Sequence, residues 1–344
     1  MKKIIILMLL GIILIGIGGY LYISSPYDKN SKKEIEIEVP SGTSALQVGN
    51  ILYKNKLINN LFYYKVKVKL IKPKFKSGIY TLKQSMTTNE IIELLQKGAT
   101  HKGINITFRE GERFTDYAKV ISQNTNNTEE DVIKLGKDKT YLKELISKYW
   151  FVTDKILQDG IYYPLEGYLA PNTYNFTSKN VSVKQIFKTL LDEQAKVLEP
   201  YKDKIKDNPH EVLTMASLVE KEGKLLEDKR LIAGVFYNRL EKKIALGSDV
   251  TTYYAEQKSM KIPLTQAELD KKNKYNTRNK TMLGLPISPI SSCDKTTIEA
   301  TVNYKKTDYL YFVADSNMKV HFMKTYKEHL EKIKQLKEQG KWIG

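Results

Sequence analysis

From Ile4 to Ile23 the chain runs 20 residues without a charge, within MKKIIILMLLGIILIGIGGYLYISSPYDK. As a helix rising about 1.5 Å per residue, the run is about 30 Å long, the thickness of a bilayer's hydrocarbon core. Lys2 and Lys3 precede it. Short basic ends stay on the cytoplasmic side, so everything after Ser24 should lie outside the membrane. A cleavable signal peptide is the competing reading. Against it, the run exceeds the roughly 7 to 15 apolar residues of a signal segment, and no small-x-small cleavage site follows. We expect a cytoplasmic stub over 1–3 and a retained single transmembrane helix over 4–23. The bulk of the chain should then be extracytoplasmic or periplasmic, on the cytoplasmic (inner) membrane.

Export changes what the composition means. The net charge is +17, which in a cytosolic chain would suggest nucleic acid as a partner. Outside the membrane that partner is not expected. Only five of the 56 basic residues are arginine, and no basic helix carries interleaved aromatics. A lysine-solvated surface near anionic headgroups accounts for the charge. Cys293 is the one cysteine, so no intrachain disulfide forms, and it reads as a small buried residue. The four histidines have neither HExxH nor Cys/His spacing, so no metal and no cofactor is expected.

Residues 24–34 are polar and include a proline, which suggests a juxtamembrane linker. Over 35–98, alternating Ile35, Ile37 and Val39 predict a strand, Pro40-Ser41-Gly42 a turn, and Leu46 to Leu52 an amphipathic helix. A second strand and a helix capped by Thr88 or Asn89 and stopped by Gly98 complete a β-α-α-β-α unit. FREGERFTDYAKVIS repeats the strand, turn and helix of VPSGTSALQVGNIL, with Gly111 standing for Gly42, 69 residues further on. Residues 112–210 read as mainly helical around an ordered loop, DGIYYPLEGYLAPNTYNF. Asn208-Pro209-His210-Glu211 marks a helix start, and DYLYFVADSNMKVHFM a hairpin.

The helix after Asn208 ends in LTMASLVEKEG, with an acid where periodicity calls for apolar residues. At 100° per residue from Val212, Glu220 falls at about 80°, between Ala216 and Leu213. Lys221 falls at about 180°, beside Thr214 and Ser217, and Glu222 at about 280°, at the edge of the apolar arc. Burial disfavours a carboxylate anion, and the negative end of the helix dipole acts in the same direction. A general acid near neutrality needs a pKa of roughly 6 to 7, about two units above a free glutamate. Periodicity alone leaves two readings of Glu220: an acid catalyst, or the partner of a lysine or arginine that closes the helix.

ASLVEKEG, AGVFYNRL, LGSDVTTYY, YNTRNKTMLGLPISPIS and KKTDYLYFVAD with VHFMKTYKEH occur in that order, and together they resemble the endolytic murein transglycosylases, the YceG-like family. The resemblance covers nearly the whole chain. It implies an α+β fold: a single transmembrane anchor, a LysM-like module over 35–98, a larger mixed catalytic domain over 104–330, and a charged helical tail over 331–344. It also implies cleavage of the β-1,4 MurNAc-GlcNAc bond within peptidoglycan strands, leaving 1,6-anhydro ends, with Glu220 as catalytic acid and then base. A peptidoglycan synthase is the partner the family suggests.

The resemblance also makes substrate-binding residues of Glu166, Glu222, Asn238, Arg239, Ser248, Asp249, Thr251, Tyr275, Asn276 and Thr277. Tyr275 would stack on a pyranose face. Asp249 also reads as a helix cap, Glu166 as a loop-ordering acceptor, Glu222 as a charge that tunes Glu220 by repulsion or is simply solvated, and Arg239 as a partner for a peptide-stem carboxylate or a support for Glu222. The sequence departs from the family pattern at Val250, Gly247, Ala170 and Asn172. Three rivals stay open. SCDK and SNMK fit the Ser-x-x-Lys of penicillin-binding proteins, without the companion motifs. The others are a glycan-binding scaffold and a hydrolase that uses Asp249 or another acid to activate water.

Overall fold

The computed structural model describes residues 19, 22–40, 42–98 and 103–342. Among these no helix is long and apolar enough to cross a membrane. The transmembrane helix expected over 4–23 lies almost wholly outside them. The chain divides into two compact units: residues up to 106 with 174–181, and residues 107–173 with 182–344.

In the first unit, β1 (Glu34–Val39), α1 (Ala45–Lys54), α2 (Leu61–Ile71), β2 (Gly78–Lys83) and α3 (Thr88–Lys97) follow one another, and β3 (Ile104–Phe108) comes next. β1 pairs antiparallel with β2, from Glu34 opposite Lys83 to Val39 opposite Gly78. Glu34, Glu36 and Glu38 are exposed while Ile37 and Val39 enter the core, the period of two that the sequence carries. That core is shared with Val48, Leu52, Tyr64, Val68 and Ile91 from the helices. Thr87 caps α3 in a reciprocal box with Glu90, one residue before the expected candidates. Thr88 is already the first residue of the helix, with its side chain buried. Gly42 and Gly111 both have positive φ, +80° and +71°, so the two strand-to-helix turns use the same left-handed residue.

The second unit is mixed: α4 (Phe114–Asn124), α5 (Glu129–Lys137), α6 (Lys139–Lys148), β4 (Asn172–Phe176), α7 (Val183–Leu198), α8 (Lys202–Ile205), α9 (Pro209–Glu222), α10 (Leu226–Glu241), α11 (Asp249–Ala255), α12 (Gln266–Asp270), α13 (Lys295–Val302), β5 (Tyr311–Ala314), β6 (Val320–Met323) and α14 (Tyr326–Glu338). β4 pairs with β3, and the division between units falls within that ribbon. β5 and β6 form the expected hairpin, with Phe312 opposite Phe322. α14 runs through residue 330, where a tail was expected to begin, because Leu336 is buried and holds the helix to the body.

α9 is the axis of this unit. It starts at Pro209 as its sequence predicts, although the Asn208 side chain makes no capping bond and Glu211 pairs with Lys155 instead. Every residue from Val212 to Val219 is buried, so the helix has no solvent face. Thr214 and Ser217, expected on a polar side, are internal. Their hydroxyls donate to the carbonyls of His210 and Thr214, each at 2.7 Å, and Ser217 Oγ also accepts the Ile290 N–H at 3.0 Å. α10, α11 and the Tyr275 and Ile290 segments close around Met215, Leu218 and Val219.

Candidate active site at the end of α9

Because α9 is enclosed, its last three residues emerge together. Each meets a different environment.

Glu220 points into the protein. Its carboxylate lies 3.3 Å from Lys229 Nζ on α10, with the side chains 8% and 4% exposed. It also accepts hydrogen bonds from Thr297 Oγ1 and, at 3.3 Å, from the Asp294 N–H at the start of α13. Of the two readings of Glu220, the geometry favours a lysine partner that ties the end of α9 to α10 and α13 over an acid catalyst. Its oxygens are occupied and shielded from a ligand. Neighbouring Cys293 is buried, and burial followed by the Glu220 and Asp294 charges pushes its thiol well above the ordinary range. It is inert, as a small core residue should be.

Glu222 faces a cavity of about 330 Å³. Ser248 Oγ donates to its Oε1 at 2.6 Å, and among the described residues no cation pairs with it. Burial raises its pKa, the Ser248 hydroxyl opposes this, and the Asp249 charge adds to the rise. It is also the last residue of the helix, where the dipole disfavours an anion. Thus of the two acids, Glu222 has the environment of a proton donor. Gly223 ends the helix without a left-handed turn, and a Cβ there would meet Ile232 Cδ1 at 2.9 Å, so that side chain would have to shift.

Aromatic rings form the opposite wall. Tyr311 on β5 lies 5.7 Å from Tyr326 and 5.4 Å from His329, ring centre to centre, and all three line the cavity together with Trp342. Arg239 sits over the Tyr311 ring at 4.8 Å. Its Nε donates to the Leu310 carbonyl at 2.6 Å and its Nη1 to Ala245 and Leu246. It frames the wall and makes no bond to Glu222. Asp249, expected as a possible cap, is the first residue of α11, exposed at the rim and 3.1 Å from Arg278. Faces of this kind, ring surfaces beside polar groups and a protonatable acid, suit a sugar chain.

Of the residues expected to bind substrate, Glu222, Arg239, Ser248 and Asp249 line this cavity. The others do not. Glu166 is buried, accepts the Phe114 N–H at 2.9 Å and the Tyr254 hydroxyl at 3.0 Å, and burial pushes its pKa up to about 8. It orders its loop. Tyr275 is fully buried, its hydroxyl bonded to Ser288 and to the Tyr162 N–H, so it offers no face to a pyranose. Asn276 donates to the carbonyls of Glu268, Leu269 and Lys271 and accepts from Thr252. Thr277 and Thr251 bond each other at 2.9 Å and brace Ser248. Asn238 donates to the Thr307 and Tyr309 carbonyls and thereby positions the hairpin. Each is held by backbone partners because a buried loop must satisfy its polar groups internally.

Arg278, Tyr311, Tyr326, His329 and Trp342 are cavity residues that sequence reasoning missed. One signal was present: Tyr326 and His329 are three apart in the first turn of α14, which puts both rings on one face.

The endolytic murein transglycosylase of Bacillus subtilis (strain 168) is 38% identical over 321 residues, covering 91% of this chain and 88% of that protein. The endolytic murein transglycosylase of Streptococcus pneumoniae serotype 2 (strain D39) is 32% identical over 339 residues, covering 91% of this chain and 61% of that longer protein. The crystal structure of a yceG-like protein from Listeria monocytogenes superposes with a TM-score of 0.62 at 34% identity, covering 88% of this chain and 99% of that one. The family model for YceG-like proteins matches residues 37–335, which takes in both compact units and every residue of the cavity but Trp342. The chain belongs to the YceG-like family.

Proposed function

We propose that the chain is an endolytic peptidoglycan lytic transglycosylase, a lyase that cuts the β-1,4 MurNAc-GlcNAc bond inside glycan strands. Glu222 is its acid and base. As the bond from C1 to the bridging oxygen breaks, the Glu222 carboxyl delivers its proton to that oxygen. The sugar's own 6-hydroxyl then attacks C1, and the Glu222 carboxylate takes the hydroxyl proton. The products are a 1,6-anhydro end and a free 4-hydroxyl, and Glu222 is protonated again. No water and no enzyme nucleophile enters, so one acid replaces the usual pair of glycosidase carboxylates.

The observation that carries this assignment is the contrast between neighbours on one helix turn. Glu220 is engaged by Lys229, Thr297 and the Asp294 N–H, whereas Glu222 has one hydroxyl partner and a cavity. Tyr311, Tyr326 and Trp342 supply the stacking surfaces.

The rest of the reading concerns placement. Ile4–Ile23 anchors the protein once in the cytoplasmic membrane, with the amino terminus inside and the remainder facing the wall. Residues 35–98 act as a LysM-like module on glycan. A peptidoglycan synthase keeps the enzyme beside new strands, whose elongation it ends. Support comes from the uncharged run itself and from the compact β-α-α-β-α unit that follows it.

The test uses uncrosslinked strands and compares Glu222→Gln with Glu220→Gln. Glu222→Gln should abolish 1,6-anhydro ends without loss of folded structure. Glu220→Gln should weaken folding and keep the chemistry. Anhydro ends at the wild-type rate from Glu222→Gln would overturn the assignment, and reducing ends from the wild type would make the enzyme a hydrolase.

A further inference from the structure

Lys221, between the two acids, opens on a second cavity of about 310 Å³. Val250 lines both cavities, so the two lie side by side across the end of α9. Three cations line the second, and two of them, Lys221 and Arg113, have no carboxylate in a salt bridge among the described residues. Among the described residues the Lys221 ammonium donates only to the Gly111 carbonyl, at 3.1 Å. Arg113 donates through Nη2 to the Lys258 carbonyl at 3.2 Å and lies 5.3 Å over the Tyr254 ring. Burial first, then the Arg113 charge, holds the Lys221 pKa below the ordinary lysine value, against the opposing charges of Glu220, Asp116 and Glu112.

The third cation, Lys258, is neutralised by Glu268 at 2.8 Å. Asp116, the one acid on the wall, accepts the Arg113 N–H at 3.0 Å and is exposed. Two like charges therefore converge on open volume, with Glu220 and Glu112 as further acids acting on Lys221. A guanidinium beside an ammonium is suited to a carboxylate.

We propose that this cavity binds a carboxylate of the peptide stem carried by the muramic acid next to the bond being cut, so that Arg113 and Lys221 make the enzyme prefer stem-bearing strands. The inference rests on the lytic transglycosylase reading, in which the glycan backbone is neutral and the stem supplies the acidic groups. Val250 separates the Glu222 proton from these cations, placing the stem's anion beside the reacting sugar.

The experiment measures kcat/KM on stem-bearing strands and on strands stripped of stems, with the full chain in detergent. For the wild type, stem-bearing strands should be preferred. In Arg113→Met and in Lys221→Met that preference ratio should fall by about tenfold, the loss of one charge-assisted contact. Arg113→Lys should restore part of it. Amidating the stem carboxylates should lower kcat/KM for the wild type by a similar factor, a result that needs no variant to fold. A wild-type ratio of one, an unchanged ratio in both variants, or indifference to amidation overturns the proposal while leaving the lyase reading intact. Failure of the wild type to produce anhydro ends from either substrate overturns the reading beneath it.

Discussion

The Glu220-Lys229 pair gives the sharpest test of which acid is structural. Both side chains are at most 8% exposed, and the shorter contact is 3.3 Å. Lys229→Met removes one partner and leaves the Glu220 carboxylate buried with Thr297 Oγ1 and the Asp294 N–H alone. Breaking a buried pair in this way costs about 3–5 kcal/mol. Glu220→Gln should cost less, because Asp294 lies 3.9 Å from Lys229 and can take part of its charge. The double variant removes both charges, and replacing a whole buried pair is often close to neutral, so it should recover about 2 kcal/mol relative to Lys229→Met.

Denaturant unfolding of the full chain in detergent reads this directly. Trp150 and Trp342 are the only two tryptophans, and both belong to the unit that contains Glu220. Tryptophan fluorescence therefore follows that unit alone. In thermal melts, about 2–4 °C per kcal/mol puts Lys229→Met roughly 6–20 °C below the wild type. If Lys229→Met unfolds within about 1 kcal/mol of the wild type, or the double variant is as unstable as Lys229→Met, the pair does not hold α9 in place. The structural account of Glu220 would then be wrong.

Two further outcomes follow from titrating groups. Since Glu222 must start protonated and its pKa is raised, cleavage should fall as pH rises through that raised value. Ser248→Ala removes the hydroxyl that stabilises the anion and should move this limb to higher pH, whereas Asp249→Asn removes a repulsive charge and should move it lower. Shifts of the same sign in a pH-rate profile would contradict the geometry. Glu166, with a folded pKa of about 8 against the ordinary 4.5, contributes full stability below the unfolded value and loses it as pH rises through about 8. The loss across that window is on the order of 5 kcal/mol. Melting temperatures of the wild type should therefore fall more steeply from pH 6 to about 8.5 than those of Glu166→Gln, and parallel curves would refute the buried-acid account.

Much of the fold was legible because local rules decide it. The alternation of Ile35, Ile37 and Val39, the proline at the start of α9 and the glycine after Glu222 each act within a few residues, and each marks a real boundary. The site was less legible. Polar residues on a loop give the same signal whether they face a sugar or a carbonyl, and Asn276, with three carbonyl acceptors, turned out to face carbonyls. Tyr275 was misread for the same reason, and Glu166 kept two readings until its partners were seen, since nothing local announces Phe114, Tyr254 or Ser288.

The two glutamates show where helical periodicity loses its power. An apolar arc identifies the buried side of a helix only if another side meets water, and α9 is buried all round from Val212 to Val219. With no solvent face, the angle of Glu220 says only which neighbour it meets. That neighbour is Lys229, nine residues along, with Thr297, 77 residues along, completing the contact. Lys221 and Glu222 follow at 100° steps and so leave the protein on two different sides of the same helix end, one beside Arg113 and one beside Ser248. A structural ion pair, a cation and a proton donor thus arise from three consecutive residues because tertiary packing gives each a different partner.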